Sequence, residues 1–257
     1  MAGVEHRHRR STPGPGRLRR SNADLEQFAA VASHDLREPL RMVSSYLALI
    51  ERRYRDKLDD QGLEYMRFAV DGAKRMHRLI DAIMSYSKSA RPGVVSSAVD
   101  ANAVLGETLT VLAAQIAESG ARITRAVLPE VRVDPAQLGQ VFQNLIGNAL
   151  KFSTGRIPEI AIGAVERDDQ CVFSVADNGL GIDDAAQEHV FEMFRRHHPQ
   201  EDIPGTGIGL ATCRKIIENH DGRIWLESSV GVGTTFFFSL PKALPAGDAP
   251  VIQADPT

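Results

Sequence analysis

From Leu18 to Leu58 the apolar residues recur at helical spacing: Leu18, Leu25, Phe28, Ala32, Leu36, Leu40, Val43, Leu47, Ile50, Tyr54 and Leu58. The polar run Asp59-Asp60-Gln61-Gly62 interrupts the pattern. It resumes at Leu63, Met66, Val70, Ala73, Met76, Ile80 and Ile83 and ends near Ser87. A helical hairpin with two long arms is predicted. Two arms alone cannot bury both apolar stripes. Two hairpins paired into a four-helix bundle can, so the pattern predicts a homodimer. One stretch departs from it: VASHDLREPLR, residues 31–41, sets the polar pair His34-Asp35 among the apolar positions, with Pro39 following.

Past Ser89 the period changes. Asp100 is a candidate N-cap for a helix reaching about Glu118. Arg122–Val127 and Val131–Val133 read as short strands. Asp134 then caps a helix that opens on Pro135 and runs to about Phe152. Ile160–Val165 and Cys171–Ala176 alternate as strands around a charged turn, Glu166 to Asp169. Helices are expected at Asp184–Phe194 and Gly207–Asn219, and strands at Arg223–Glu227 and Thr234–Leu240. Mixed elements without a regular βαβ alternation indicate an α+β class: a helical hairpin followed by an α/β sandwich. The expected division is a disordered basic segment over 1–20, the hairpin over 21–90, a linker over 91–99, the sandwich over 100–241 and a disordered tail over 242–257. No internal repeat is present.

Composition narrows the class. Hydrophobic residues make up 43% and charged residues 25%, a globular balance that can fill a core. The net charge of −3 argues against bulk nucleic-acid binding. The arginine-rich start, with Glu5 as its single acid, leads into Thr12-Pro13-Gly14-Pro15-Gly16 and reads as a solvated lead-in. Cys171 and Cys213 lack metal-like spacing and suggest a reducing compartment. No apolar run approaches the roughly 18 residues that span a bilayer, and no signal peptide is evident. A cytoplasmic protein is expected, with any sensing done by a separate partner protein.

Four clusters carry candidate chemistry. In Gln143–Ser153, Asn144 and Asn148 share a helix face and Lys151 lies beside it, a set suited to a hydrated Mg²⁺ and phosphates. In Asp177–Asp183 (DNGLGID), Asp177 can accept a hydrogen bond from a base amino group, and Gly179 and Gly181 let backbone pass close to a ligand. In Gly205–Ala211 (GTGIGLA), Gly205, Gly207 and Gly209 precede a helix N-terminus that suits phosphate. This is neither the dinucleotide fingerprint nor a P-loop. In Phe191–His198, Phe191 and Phe194 can anchor on the core while Arg195 and Arg196 open a polar loop that reads as a lid. Taken singly, each fits an ordinary helix face, turn or surface loop.

Their order and spacing together resemble the N, G1, F and G2 boxes of histidine kinases, and VASHDLREPLR resembles the H box. The resemblance covers roughly residues 21–241, and the hairpin looks most like the kinase modules behind phytochrome-type sensors. It implies that His34 is the phosphoacceptor and that Asp35 orients the imidazole and takes its proton. It implies Mg²⁺ on Asn144 and Asn148, with Asn148 the surer, and ATP phosphate on Lys151. Asp177 would read the adenine, Gly179, Gly181, Gly205, Gly207 and Gly209 would shape the pocket, and Arg196 would lie near the phosphates. Pro39 becomes a plausible hinge. The phosphoryl group would pass to an aspartate on the receiver domain of a separate response regulator. One departure stands out: many members carry Thr or Asn four residues after the histidine, and here that position is Glu38. Two rivals are a related ATPase fold without histidine chemistry and a non-enzymatic dimeric scaffold that binds ATP and regulators.

Overall fold

Period-3.6 apolar stripes build the first third of the chain, and period-2 alternation against helix stripes builds the rest. The computed structural model describes residues 15–89, 96–153, 155–195 and 205–243, with side chains from Asp35 onward apart from Ser96 and Ser97. The chain divides into two compact units between Ser87 and Lys88.

The first unit is the expected hairpin. Helix α1 is Pro15–Tyr54, with Pro39 inside it, and α2 is Asp60–Ser89. Three residues of 3-10 helix, Arg55–Lys57, follow α1. The break is shorter than expected, because Asp60, Gln61 and Gly62 already belong to α2. Asp59 makes this possible: its Oδ1 accepts from Gly62 N at 2.7 Å, which satisfies a first-turn donor. Helix α1 begins inside the lead-in expected to be unstructured. Pro15 opens it, at a position where a missing N–H costs nothing. Residues 1–14 and the tail from 244 lie outside the described residues. Within one chain the hairpin core is small: Leu40, Ala73 and Ile80, with Leu47 against them. Leu36, Met42, Val43, Tyr46, Leu49, Tyr65, Phe68 and Met76 stay exposed.

The second unit is the α+β sandwich. Strand β1 (Ser96–Asp100) pairs antiparallel with β3 (Glu130–Val133). A five-stranded sheet takes the order β2 (Arg122–Arg125), β4 (Glu159–Arg167), β5 (Gln170–Asp177), β7 (Gly233–Pro241), β6 (Ile224–Ser229). Only β2–β4 is parallel. Helices α3 (Ala101–Val111), α4 (Ala113–Ser119), α5 (Pro135–Lys151) and α7 (Gly209–Asn219) supply the second layer, and α6 (Asp184–Gln187) is a single turn.

Three expectations are corrected. The helix expected over 100–118 breaks at Leu112. Thr108 and Thr110 turn their hydroxyls back onto the carbonyls of Val104 and Gly106, a contact that bends helices. The helix expected over 184–194 stops at Gln187. Beyond it Phe194 adopts φ 64 and donates its N–H to Gly207 O at 2.9 Å, a bond a continuing helix would forbid. Strand β1 occupies part of the expected linker, held by pairing to β3 and by buried Val99. Its serines have little strand propensity and gave no sequence signal.

The core lies between α5 and the inner sheet face. Phe173 on β5 and Phe238 on β7 stack with centroids 4.8 Å apart, and Phe142 of α5 meets them edge-on at 6.2 and 5.9 Å. All three have no exposed surface. Phe238→Ala should cost about 3–5 kcal/mol, while Phe237→Ala, on the half-buried outer face against Trp225, should cost clearly less. Chemical denaturation of the two variants checks the order, and equal losses would overturn this placement of the core.

Candidate functional site

Helix α5 turns Leu138, Val141, Phe142, Leu145, Ile146 and Ala149 into the core. That leaves Asn144, Asn148 and Lys151 on the wall of a cavity of about 250 Å³. Its start is fixed by Asp134, whose Oδ1 accepts from Gln137 N at 3.0 Å, and by Pro135 in the first turn. At its other end Leu180 N donates to Phe152 O at 3.0 Å, so the loop after β5 is pinned to the end of α5. Gly179 sits at this crossing: a Cβ there would lie 2.8 Å from Phe152 O. Gly181 has φ 71, and a Cβ on it would collide with the Ser229 carbonyl. Only glycine fits either place without moving backbone.

Asp177 ends β5 at the cavity. Its Oδ1 accepts from Gly179 N at 2.8 Å and from Thr234 N at 3.3 Å. Burial pushes its carboxyl above the usual aspartate range, and the two N–H donors partly offset this. Leu180, Ile182, Val190, Leu210 and Phe236 give the cavity apolar walls, so one carboxylate stands in an apolar slot. That pairing suits a flat heterocycle with an amino group.

The other end is polar. Asn144 Nδ2 donates to Gly209 O at 3.3 Å, which ties α5 to the first residue of α7. The Asn148 side chain makes no hydrogen bond among the described residues, which leaves its amide oxygen available to a cation or to water. Lys151 Nζ lies 4.3 Å from the Phe152 ring centroid and close against Gly205, where a Cβ would meet it at 2.5 Å. Arg195 lines the cavity too, its Nε 2.8 Å from Glu192 Oε2. Among the described residues no side chain caps the start of α7, which leaves its first N–H groups and its positive dipole end facing this side. Among the described residues no cluster of His, Cys, Asp and Glu could hold a metal; a cation here would rest on amide oxygens, which suits Mg²⁺.

The structure therefore gathers Asn144, Asn148, Lys151, Asp177, Gly181, Gly205, Gly207 and Gly209 around one cavity, with Gly179 behind Asp177. His34 and Asp35 belong to α1 in the other unit; Asp35 is exposed, and the side chain of His34 lies outside the described residues. Arg196 also lies outside them. Arg195, read from the sequence as part of a lid, lines the cavity, whereas Phe152, Thr206 and Thr234 line it without having been assigned to the site. Thr234 was reachable, since it shares the inward register of Phe236 and Phe238 on β7.

Residues 24–92 match the family model of the His Kinase A (phospho-acceptor) domain, and residues 133–244 match that of the histidine kinase-, DNA gyrase B-, and HSP90-like ATPase. Cyanobacterial phytochrome A of Nostoc sp. is 47% identical over 224 residues, 87% of this chain and 29% of the phytochrome. The adaptive-response sensory kinase SasA of Synechocystis sp. is 32% identical over 232 residues, 84% of this chain and 59% of that protein. The chain thus spans less than a third of the phytochrome's length. Full-length ShkA, crystallised with AMPPNP, superposes with a TM-score of 0.65 at 25% identity, over 84% of this chain and 46% of that one. No helix among the described residues is long and apolar enough to cross a membrane.

A raised carboxyl pKa means that the folded state binds the proton more tightly than the unfolded state. Stability from Asp177 is therefore greatest at acid pH and declines as pH rises through its folded pKa. Asp177→Asn keeps the oxygen that accepts from Gly179 and Thr234 and carries no charge. It should melt at or above the wild-type temperature at neutral pH, with the advantage vanishing in acid. Thermal unfolding at both pH values checks this, and a variant markedly less stable at neutral pH would overturn it.

Proposed function

Because the chain belongs to the histidine kinases, carrying the phosphoacceptor hairpin and the ATPase domain of their catalytic core, we propose that it phosphorylates its own His34 from ATP and passes the phosphoryl group to an aspartate of a response-regulator receiver domain. The observation that carries this reading is one cavity that joins a carboxylate in an apolar slot at one end to amides, cations and a helix N-terminus at the other.

In this reading Asp177 accepts from the adenine amino group, with the base between the apolar walls. The phosphates lie toward Asn148, Lys151, Arg195 and the start of α7, and Arg196, by the family resemblance, would supply a further cation. Asn148 and Asn144 would hold Mg²⁺, which would neutralise charge on the phosphates. A neutral imidazole nitrogen of His34 attacks the γ-phosphorus. The new N–P bond forms as the bond to the bridging oxygen breaks, and ADP leaves with that electron pair. Asp35 takes the imidazole proton. Histidine suits the role because its unperturbed ring is largely neutral near neutral pH. The rest of the rate enhancement comes from positioning and charge neutralisation.

The working unit is a homodimer. The apolar residues left exposed along α1 and α2, among them Leu36, Val43, Leu49, Phe68 and Met76, support pairing into a four-helix bundle.

Incubation with γ-labelled ATP and Mg²⁺ should label the wild type with an alkali-stable, acid-labile phosphate, and His34→Gln should take up none. Nucleotide binding without label in either protein would replace this reading with that of a dimeric scaffold. Glu38 yields a second expectation. A carboxylate cannot position an attacking water as an amide or hydroxyl does, so regulator-phosphate decay should be slow with ADP present. Glu38→Thr should speed it, and brisk decay with the wild type would refute the expectation.

A further inference from the structure

His220, directly after α7, is buried with 5% of its surface exposed. Both of its ring nitrogens are committed. Nδ1 lies 2.9 Å from Ile216 O, and Nε2 lies 3.1 Å from Asp134 N. A carbonyl only accepts and a backbone amide only donates. The tautomer that serves both carries its proton on Nδ1 and leaves the Nε2 lone pair to receive Asp134 N–H. Asp134 is the residue that caps α5.

Helices α5 and α7 run antiparallel and are tied at three levels. At the cavity, Asn144 Nδ2 donates to Gly209 O at 3.3 Å. In the middle, the Cys213 thiol, whose pKa burial pushes up to about 12, lies 4.0 Å from Val141 O. At the far end, His220 receives the amide of Asp134. The outer ties stand about 16 Å apart along α7. The sulfur contact is weak, so beyond the packing of the shared core two directional ties fix how far α7 slides or tilts along α5. One of them, Asn144, belongs to the cavity itself, which leaves His220 as the anchor away from it.

We propose that His220 is a positioning residue: by holding α7 in register with α5 it sets the distance between the α7 N-terminus and the Asn148–Lys151 side of the cavity, and so the grip on the phosphates of ATP. This rests on the ATP reading above. It assigns His220 its effect on the phosphate end rather than the adenine end, where Asp177 and all the apolar walls except Leu210 belong to other elements.

Two substitutions separate the bonds of the ring. In His220→Gln the amide oxygen takes the place of Nε2 and keeps the tie to Asp134. In His220→Asn the shorter amide reaches only Ile216 O, and the half-buried Asp134 N–H loses its partner. The full chain is titrated calorimetrically with ATP and with adenosine, Mg²⁺ present, below the melting temperature of every variant. His220→Gln should keep the wild-type ratio of ATP to adenosine affinity. His220→Asn should lose about fivefold in ATP affinity, about the net worth of one hydrogen bond, with adenosine affinity unchanged. His220→Met, similar in size and without an acceptor, repeats the test if the Asn variant does not fold. An unchanged ratio in the Asn or Met variant overturns the proposal and shows the histidine to be purely structural, as does failure of both to fold. Wild type that binds neither ligand overturns the ATP reading itself.

Discussion

The second unit depends on one helix that serves two surfaces. Helix α5 must bury an apolar stripe against the Phe173–Phe238 stack and also present Asn144, Asn148 and Lys151 to solvent and ligand. The 3.6-residue period allows both, since the polar positions fall between the buried ones on the far side of the cylinder. Every other part of the site is positioned against it. The loop after β5 is pinned at its C-terminal end through Phe152 O, and α7 is tied along its length. Loss of α5 packing would therefore dissolve the cavity before it exposed any one ligand-binding group.

Placing Asp177 in that cavity runs against stability. A carboxylate in an apolar slot is disfavoured in its charged form, and two backbone N–H groups recover only part of the cost. A chain built for stability alone would put an amide or an apolar residue there. Gly179 and Gly181 add a second cost, since each carries more backbone freedom in the unfolded chain than an alanine would. Both choices serve close approach: the carboxylate leaves an acceptor for a ligand amino group, and the glycines let backbone form the wall. Structural cost concentrated at one cavity is what a binding site looks like.

Much of this was legible in the residues. Wherever a face is buried against an extended partner, the sequence must repeat at the period of its element. The hairpin arms, the two-faced α5 and strands β4, β5 and β7 were therefore readable. So were the caps at Asp100 and Asp134, because a side-chain oxygen before a first turn has few other uses. Where partners rather than period decide, the sequence was mute. Strand β1 exists because β3 offers a free edge, and the Asp184 helix stops because Phe194 finds Gly207. The site was legible as a set of residue types at spacings; that Thr234, on the inward register of β7, lines the cavity became visible only through folding.

The two units differ in how they are held together. The second buries a contiguous core from Val99 to Leu240, reaching both layers of the sandwich. The hairpin buries Leu40, Ala73 and Ile80 and leaves large apolar side chains exposed along both arms. Helices of this length are not stabilised by propensity alone and require a packed face. If association supplies that face, hairpin stability contains the dimerisation free energy and rises with protein concentration, while that of the second unit does not. The unit that carries His34 would then be assembled by association, and the unit that holds the cavity would fold on its own.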